Sequence, residues 1–263
     1  MRNQFINSAA IALFLVFGSQ NAAAEFDHKH ELWNSIVSRY VSADGSTSVV
    51  DYKTLKEDAR EPLTKYLDTL ASVPESKFNS WTKRQRLAFL INAYNAWTIK
   101  LIVDNYPIKS IKDIGGFLSS PWKQKIVQLF GDKRSLDWIE HEKIRPTFNE
   151  PRIHFALVCA SKGCPGLRSE AFTPDKLDQQ LEGSTKRFLA DGSRNSFNLQ
   201  KKELNLSSLF KWYKDDFVKA RGSVEKFVLP YMTKAGQAAN TEHFIISYKD
   251  YDWSLNENHN SSR

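Results

Sequence analysis

The sequence lacks the signatures of several common enzyme classes. It contains no glycine-rich phosphate loop, no serine nucleophile elbow and no His-Glu-x-x-His helix. Its lysines and arginines are dispersed along the chain, and no nucleic-acid-binding motif accompanies the formal net charge of +7. These absences argue against phosphate-loop, serine-elbow and zinc-protease chemistry, and the net charge is best interpreted as an ordinary solvated basic surface.

Long apolar runs are also scarce. The N-terminus carries one, Ala9 to Phe17, which follows Arg2 and precedes the small residues Ala22 to Ala24. Residues 1–24 are therefore predicted to be a secretory signal peptide, with an uncleaved anchor as the alternative. No second segment is long and apolar enough to cross a membrane, so we expect a periplasmic or secreted protein. Its partner would be a small-molecule, peptide or cell-envelope substrate, with no role for nucleic acid.

Cysteine is scarce too. The two cysteines, Cys159 and Cys164, follow the apolar run Ile153 to Val158, which predicts a buried strand ending at a short loop. A cysteine at such a junction can be a reactive sulfur on a rigid support. Two cysteines with four residues between them can also form a small disulfide, and an oxidising compartment would favour that outcome.

The remaining pattern predicts a single globular α+β domain over residues 25–263, mainly helical, around a small mixed or antiparallel sheet. Thr82 is a candidate cap for a long helix that runs to about Asn105 and is apolar nearly all round, which places it at the centre of the fold. Alternating residues on both sides of Lys201-Lys202 predict a hairpin. Other helices are predicted near residues 31–40, 63–70, 136–144, 173–189, 208–217 and 224–232, and a last strand near 244–248.

Two asparagines interrupt the apolar surface of the long helix. Asn92 and Asn95 are three residues apart and share a helix face. A buried amide without a partner costs about 1–3 kcal/mol, so both side chains must meet polar groups. They either form a hydrogen-bond network that pins a loop, or they orient a catalytic group or bind a substrate carbonyl.

Two histidines are candidate partners for Cys159. If residues 153–159 form a strand, His154 and Cys159 point to opposite faces, and His154 is poorly placed to deprotonate the thiol. His141, in a charged helix, is the better candidate for a general base. Three residues could orient its imidazole: Glu140, Asn92 and Asp216.

A metal site is an alternative that the sequence does not favour. His154, Cys159 and Cys164 provide only three soft ligands, and their spacing matches no common zinc pattern. We therefore predict neither a metal nor another cofactor.

Six segments, in order along the chain, carry a resemblance to a known family: Val50-Asp-Tyr52, Phe89 to Asn95, Leu136 to His141, His154 to Arg168, Trp212 to Phe217 and Tyr251-Asp-Trp253. Together they resemble the domain of unknown function 547 family, and this chain would be an exported bacterial member. The resemblance implies that six residues occupy motif positions: Asn92, Tyr94, Asn95, Glu140, His141 and Cys159. It also implies a distinct role for Cys159, because plant members keep that cysteine but often have another residue where Cys164 stands.

The first functional hypothesis is a cysteine-dependent hydrolase or acyl-transferase that acts on an amide or thioester-like bond. Cys159 would be the nucleophile and His141 the general base, oriented by Glu140 or Asn92, with loop amides between Ala160 and Gly163 receiving the oxyanion. The predicted substrate-binding residues are Asn95, Tyr94, His154, Arg168 and Trp212.

The alternative hypothesis is a non-catalytic binding protein. A Cys159–Cys164 disulfide would shape the loop, and the aromatic residues Trp212, Tyr251 and Trp253 would line a ligand groove. A thiol-redox function is a third hypothesis, although the spacing of the cysteines departs from Cys-x-x-Cys.

Overall fold

Residues 25–116, 119–232 and 244–258 are described by a computed structural model of the chain. The predicted signal peptide, residues 1–24, lies outside the described residues. Within the described ranges, no helix combines the length and the apolar character needed to cross a bilayer.

Helices account for most of the regular structure in these ranges, as predicted. The α-helices are α1 (Glu31–Tyr40), α2 (Tyr52–Asp58), α3 (Arg60–Ala71), α4 (Glu75–Ser80), α5 (Lys83–Asn105), α6 (Arg145–Thr147), α7 (Leu177–Leu189), α8 (Leu209–Trp212), α9 (Lys214–Arg221) and α10 (Val224–Met232). A π-helix, Trp138–Ile144, replaces the α-helix predicted near residues 136–144. Short 3-10 helices occur at Ile111–Asp113, Pro121–Lys123 and Pro151–Phe155.

The strands form three small sheets. Two are antiparallel hairpins, β1 (Val41–Asp44) with β2 (Thr47–Val50) and β3 (Val127–Leu129) with β4 (Asp132–Arg134). The third is mixed: β5 (Ser196–Asn198) pairs antiparallel with β6 (Glu203–Ser207), and β6 pairs parallel with β7 (Ile245–Lys249). The α+β class and the hairpin around Lys201-Lys202 are therefore confirmed.

The long helix α5 lies at the centre of the fold. Thr82 accepts a hydrogen bond from the amide of Gln85, and the Gln85 side chain accepts one from the amide of Thr82, which closes a capping box. Fifteen of its twenty-three residues are buried, from Leu87 to Val103. Since nearly every face is covered, the helix provides fixed positions from which Asn92, Tyr94 and Asn95 reach their partners.

The strand predicted over Ile153 to Val158 is wrong. Pro151 starts a 3-10 helix there, and the Glu150 side chain accepts the amide of Arg152 at its N-terminus. The backbone beyond this helix finds its hydrogen bonds at a side chain of α5 and not at a neighbouring strand, as described below. The apolar residues that suggested a strand are buried for a different reason.

That reason is the position of the segment between two hydrophobic clusters. The larger cluster packs α1–α5 with Ile153 and Ala156, whereas Phe155 packs into a second cluster formed by α7–α10 and β6. Residues 153–156 thus join the two halves of the core. The candidate site opens at this junction.

Candidate functional site

A cavity of about 210 Å³ contains most of the candidate chemistry. It lies between the π-helix, the segment from His154 to Pro165, helix α8 and the C-terminal residues 251–253. Its walls bring together two cysteines, two histidines, two carboxylates and several aromatic rings. The lining residues are Tyr94, Trp122, Asp137, Glu140, His141, His154, Leu157, Cys159, Cys164, Pro165, Leu209, Trp212, Tyr213, Tyr251 and Trp253.

One wall is a thiol cluster formed by Cys159, Ser161, Cys164 and Tyr251. The sulfur of Cys159 lies 3.1 Å from Oγ of Ser161 and 3.2 Å from the hydroxyl of Tyr251. The backbone N–H of Cys159 donates to Sγ of Cys164 at 2.9 Å. Both cysteines are free thiols, so the predicted disulfide is wrong. The loop turns the sulfur of Cys164 towards the amide of Cys159 and not into a bond with its sulfur.

The thiol cluster makes the two cysteines chemically unequal. A hydrogen bond from Cys164, together with bonds from Ser161 and Tyr251, lowers the pKa of Cys159 to about 7 against the opposing effect of burial. Burial and the neighbouring Cys159 sulfur raise the pKa of Cys164 well above its ordinary value. Cys159 is half-buried and Cys164 is buried. Cys159 is therefore the thiolate-forming, accessible member of the pair.

The backbone around Cys159 is shaped to hold these donors. Ala160 has a left-handed conformation, with φ of 58°, and the amide of Ser161 donates to the Cys159 sulfur. Consecutive amides in such a turn form a concave anion site. The amides of Lys162 and Gly163 are bound by the carbonyls of Ser254 and Asp252 at 2.8 Å. Most of the loop amides expected to receive an oxyanion are thus engaged elsewhere.

Gly163 determines how closely the C-terminal segment approaches. A Cβ atom at this position would lie 3.0 Å from the backbone of Asp252 and 3.0 Å from the ring of Tyr251. Glycine permits this contact and so brings Tyr251 to the sulfur of Cys159. The same segment is anchored further on, where Tyr52 donates to the side chain of Asn256 at 2.8 Å.

A charged network is formed by Glu140, His141, Arg145, His154 and Asp216, of which Glu140, His141 and His154 line the cavity. Asp216 accepts from Nε of Arg145 at 2.7 Å and from Nε2 of His154 at 2.7 Å. Burial opposes ionisation of this carboxyl, but the bonds from His154 and Arg145 hold its pKa well below the ordinary range. Burial lowers the pKa of His154, whose ring also stacks on Tyr213 with centroids 3.8 Å apart. His154 is therefore neutral and donates through Nε2.

His141 is held by this network through Arg145. Nη1 of Arg145 lies 2.8 Å from Nδ1 of His141. A guanidinium can only donate, so Nδ1 accepts and the neutral ring carries its proton on Nε2. Asp216, one of the residues expected to orient His141, acts on His154 directly and reaches His141 only through Arg145.

Glu140 is buried, with 5% of its surface exposed. It accepts a hydrogen bond from Tyr213. Burial is the largest cause of the raised pKa of Tyr213, followed by the charge of Glu140 and then by this hydrogen bond. Its Oε1 has no hydrogen-bond partner among the described residues, and Nδ1 of His154 lies 3.8 Å away. Glu140 thus faces His154 and Tyr213, and not His141 as expected.

The two asparagines of α5 are backbone clamps. Asn92 exchanges hydrogen bonds with the carbonyl and amide of Phe172, at 2.7 and 3.0 Å. Asn95 donates to the carbonyl of Ala156 and accepts from the amide of Val158, at 2.9 and 3.0 Å. Neither lines the cavity, and the loop-pinning interpretation describes both. Asn95 fixes Val158, the residue immediately before Cys159, so it supports the site without lining the cavity.

The predicted substrate residues divide between the cavity and other places. Tyr94, His154 and Trp212 line the cavity, as do Tyr251 and Trp253 of the alternative hypothesis. Arg168 does not, because its guanidinium binds Glu170 and the carbonyl of Gln180. Sequence reasoning missed three residues that shape the site: Ser161, Arg145 and Tyr213. The spacing of Arg145 four residues after His141 on one helix was the available signal for that pair.

Within the described ranges, no group of three or more His, Cys, Asp or Glu side chains is arranged to hold a metal ion.

Comparison with known proteins finds one family model that is similar to part of the chain. No match to the chain is found among the curated proteins or among the solved structures. The family model described as "Protein of unknown function, DUF547" matches residues 78–189. This segment contains α5, the π-helix and both cysteines, whereas Trp212, Tyr213, Asp216 and Tyr251 lie beyond it. Residues 78–189 are thus similar to the domain of unknown function 547 family, and this similarity supports membership of that family.

Proposed function

We propose that this protein is a cysteine-dependent acyl hydrolase or acyl-transferase with Cys159 as the nucleophile. One observation carries the proposal: an accessible cysteine lies in a cavity with its pKa lowered to about 7. At neutral pH a large fraction of such a cysteine is thiolate, which is the nucleophilic form. The uncharged donors around it provide the stabilisation that a histidine provides in many other thiol enzymes.

The arrangement favours a thioester or a similarly activated acyl group as the substrate. The Cys159 thiolate attacks the carbonyl carbon, a new S–C bond forms, and the thiolate of the substrate leaves without needing a proton. Water then attacks the acyl-cysteine, the S–C bond breaks and Cys159 leaves as thiolate. One proton of the water passes through solvent to the departed substrate thiolate, so the products are a carboxylic acid and a free thiol. An amide would need an acid to protonate its leaving nitrogen, and a neutral imidazole is too weak an acid for that step.

In this proposal His141 is a hydrogen-bond donor to the acyl oxygen. Its Nδ1 accepts from Arg145, so the Nε2–H is the group it can present to the cavity. The role of general base expected from the sequence would require the other tautomer. His154, fixed by Asp216, supports the wall behind Glu140.

The proposal retains the predicted export of the protein. If residues 1–24 are removed on export, the reaction takes place in the periplasm or outside the cell. Cys159 must then stay reduced in an oxidising compartment, although Cys164 is close enough to form a hydrogen bond with its sulfur.

The test is the pH dependence of alkylation at Cys159. We expect the rate of modification by iodoacetamide to rise with pH and reach half its maximum near pH 7, because the thiolate is the reacting form. Cys159→Ser should abolish both this adduct and the acyl adduct left by a simple aryl thioester, measured by intact mass. Cys164→Ala should keep both adducts and raise the midpoint by about one pH unit, since one donor to the sulfur is lost.

Two results would contradict the proposal. A midpoint near the ordinary thiol pKa of about 8.5 would mean that the cluster does not activate Cys159. Equal labelling of Cys159 and Cys164 in the folded protein would mean that the cavity does not distinguish them.

A dithiol redox function is the second candidate, favoured by the contact between the Cys159 amide and the Cys164 sulfur. An accessible thiol of lowered pKa beside a buried one is the arrangement that thiol–disulfide exchange uses. Equilibration with glutathione redox buffers separates the two functions. Reversible formation of a Cys159–Cys164 bond at mild potentials, without any acyl adduct, would favour redox chemistry.

A further inference from the structure

We infer that the cavity binds a substrate carrying a cationic amine, which Glu140 and the surrounding aromatic rings recognise. The inference rests on the proposed function, because it names the class of substrate that Cys159 would meet. It is carried by one unpartnered oxygen, by the balance of charge in the lining, and by the geometry of the aromatic residues.

The unpartnered oxygen is Oε1 of Glu140. The residue is 5% exposed, and this atom has no hydrogen-bond partner among the described residues. Burying an acceptor without a hydrogen-bond partner is unfavourable, and more so for a carboxylate than for a neutral group. Nδ1 of His154 lies 3.8 Å away, and it is also an acceptor because the neutral ring donates through Nε2 to Asp216. Two acceptors side by side favour a third group that donates to both, as an ammonium does.

The charged residues that line the cavity are acidic, which suits a cationic substrate. Asp137 and Glu140 are the acidic residues of the cavity wall, and no lysine or arginine is among the described residues that line it. The whole chain has a formal net charge of +7, so an acidic cavity is a local exception. An anionic substrate would meet repulsion here, and a cationic one would be attracted.

Four rings complete the recognition surface, which we call the aromatic wall: Trp122, Trp212, Tyr251 and Trp253. Tyr251 and Trp253 have centroids 4.6 Å apart, and Trp212 lies 4.8 Å from Tyr251. Such clusters attract cations through their ring faces. Lys112 already uses one face in this way, with Nζ 3.8 Å from the Trp253 centroid.

The volume limits what can enter. A cavity of about 210 Å³ fits an aminoalkyl chain but not a folded domain. The substrate class is therefore an acyl compound whose short side chain ends in a primary or secondary ammonium, free or at the end of a peptide.

The probe for the test is pentylamine, a primary alkylammonium small enough for the cavity, and N-pentylacetamide is the uncharged control. We expect the amine to bind the full mature chain saturably, by isothermal titration calorimetry, and the acetylated probe to bind at least tenfold more weakly. Glu140→Gln should weaken binding of the amine at least tenfold. Glu142→Gln, which removes the same charge from an exposed position of the same helix, should leave binding unchanged.

The design separates this inference from the proposed function. Cys159→Ser should bind the amine as the wild type does, because recognition does not need the nucleophile. Amine binding without any acyl adduct would refute the proposed function and keep the inference. Equal affinity for both probes, no effect of Glu140→Gln, or no saturable binding would overturn the inference. Should Glu140→Gln fail to fold, by circular dichroism, Glu140→Asp tests the same oxygen with the charge retained and displaced, and the same loss of affinity is expected.

Discussion

The thiol cluster and the charged network face the same cavity, but they stabilise their polar groups by different means. Cys159 receives bonds from neutral donors that come from its own loop and from Tyr251. His154 and Asp216 depend on full charges that come from separate helices, with Arg145 between the carboxylate and His141.

This difference has a physical consequence. Neutral donors lower the pKa of a thiol without placing a counter-ion in the cavity, so the acyl group has room to approach. The charged network instead fixes the orientation of two imidazoles and leaves the Glu140 carboxylate facing the cavity. The thiol cluster is therefore suited to bond making, and the charged network to orienting His141 and to recognition. The two sides should respond differently to mutation.

The largest effect is expected from the support behind the thiol cluster. Asn95→Ala leaves the carbonyl of Ala156 and the amide of Val158 unpaired in the core, which should lower the free energy of unfolding by about 3 kcal/mol. Asn92→Ala is the matched control, since it unpairs the amide and carbonyl of Phe172 from the same helix face. Urea denaturation should give similar losses for both variants.

Only Asn95→Ala should also alter the reactivity of Cys159. Its backbone clamp ends one residue before the cysteine, whereas the clamp of Asn92 lies elsewhere. An unchanged alkylation midpoint in Asn95→Ala, at temperatures where it remains folded, would mean that the thiol cluster is independent of α5.

A smaller effect is expected in the charged network. Asp216→Ala leaves Arg145 and the buried ring of His154 without their carboxylate. The free energy of unfolding should fall by about 2–3 kcal/mol. This is at the lower end for a buried ion pair because the Asp216 side chain is 24% exposed. Asp215→Ala, next to it and exposed, should change stability by less than about 0.5 kcal/mol. Thermal unfolding of the three proteins measures both differences.

The stabilities of the same two variants should also differ in their dependence on pH. The pKa of Asp216 is depressed in the folded state, so its contribution is present above the unfolded value of about 4 and is lost as the pH falls below it. Asp216→Ala should lack this part of the acid sensitivity, and Asp215→Ala should keep it. The Cys159 alkylation midpoint should stay near 7 in both; a shift would show that the network and the cluster are coupled.

The smallest effect is expected where the C-terminal segment meets the loop. Gly163→Ala adds a Cβ atom 3.0 Å from the backbone of Asp252, and the segment must move back. The expected cost is about 1–2 kcal/mol. Tyr251 should move with the segment and raise the alkylation midpoint of Cys159. Gly192→Ala, where a Cβ meets nothing within 4 Å, is the control and should leave the midpoint unchanged.

Local signals predicted much of the fold. The cap at Thr82, the apolar length of α5 and the alternation around Lys201-Lys202 all depend on neighbours in sequence, and the corresponding helix and hairpin are present. The bounds of α1, Glu31–Tyr40, agree for the same reason. In each case the residues that determine the element lie within it.

The site depended on distant contacts, and these could not be predicted. Residues 153–158 have the composition of a buried strand, but a 3-10 helix forms over Pro151–Phe155 instead. Asn95, more than sixty residues away, binds the carbonyl of Ala156 and the amide of Val158. The bond between His154 and Asp216 spans 62 positions. The assumed strand also separated His154 from Cys159, whereas both line one cavity. The predicted Cys159–Cys164 disulfide is wrong because the geometry of the loop, and not the spacing of the two cysteines in sequence, decides where the sulfur of Cys164 points.

The left-handed backbone at Ala160 has a consequence for engineering. An alanine in this conformation costs about 1 kcal/mol that a glycine would not. Glycine would also widen the range of conformations open to the chain between the nucleophile and Ser161. Replacing Ala160 with glycine is therefore expected to stabilise the folded turn and to position the Cys159 sulfur less precisely. A search for heat-tolerant variants should leave this residue unchanged.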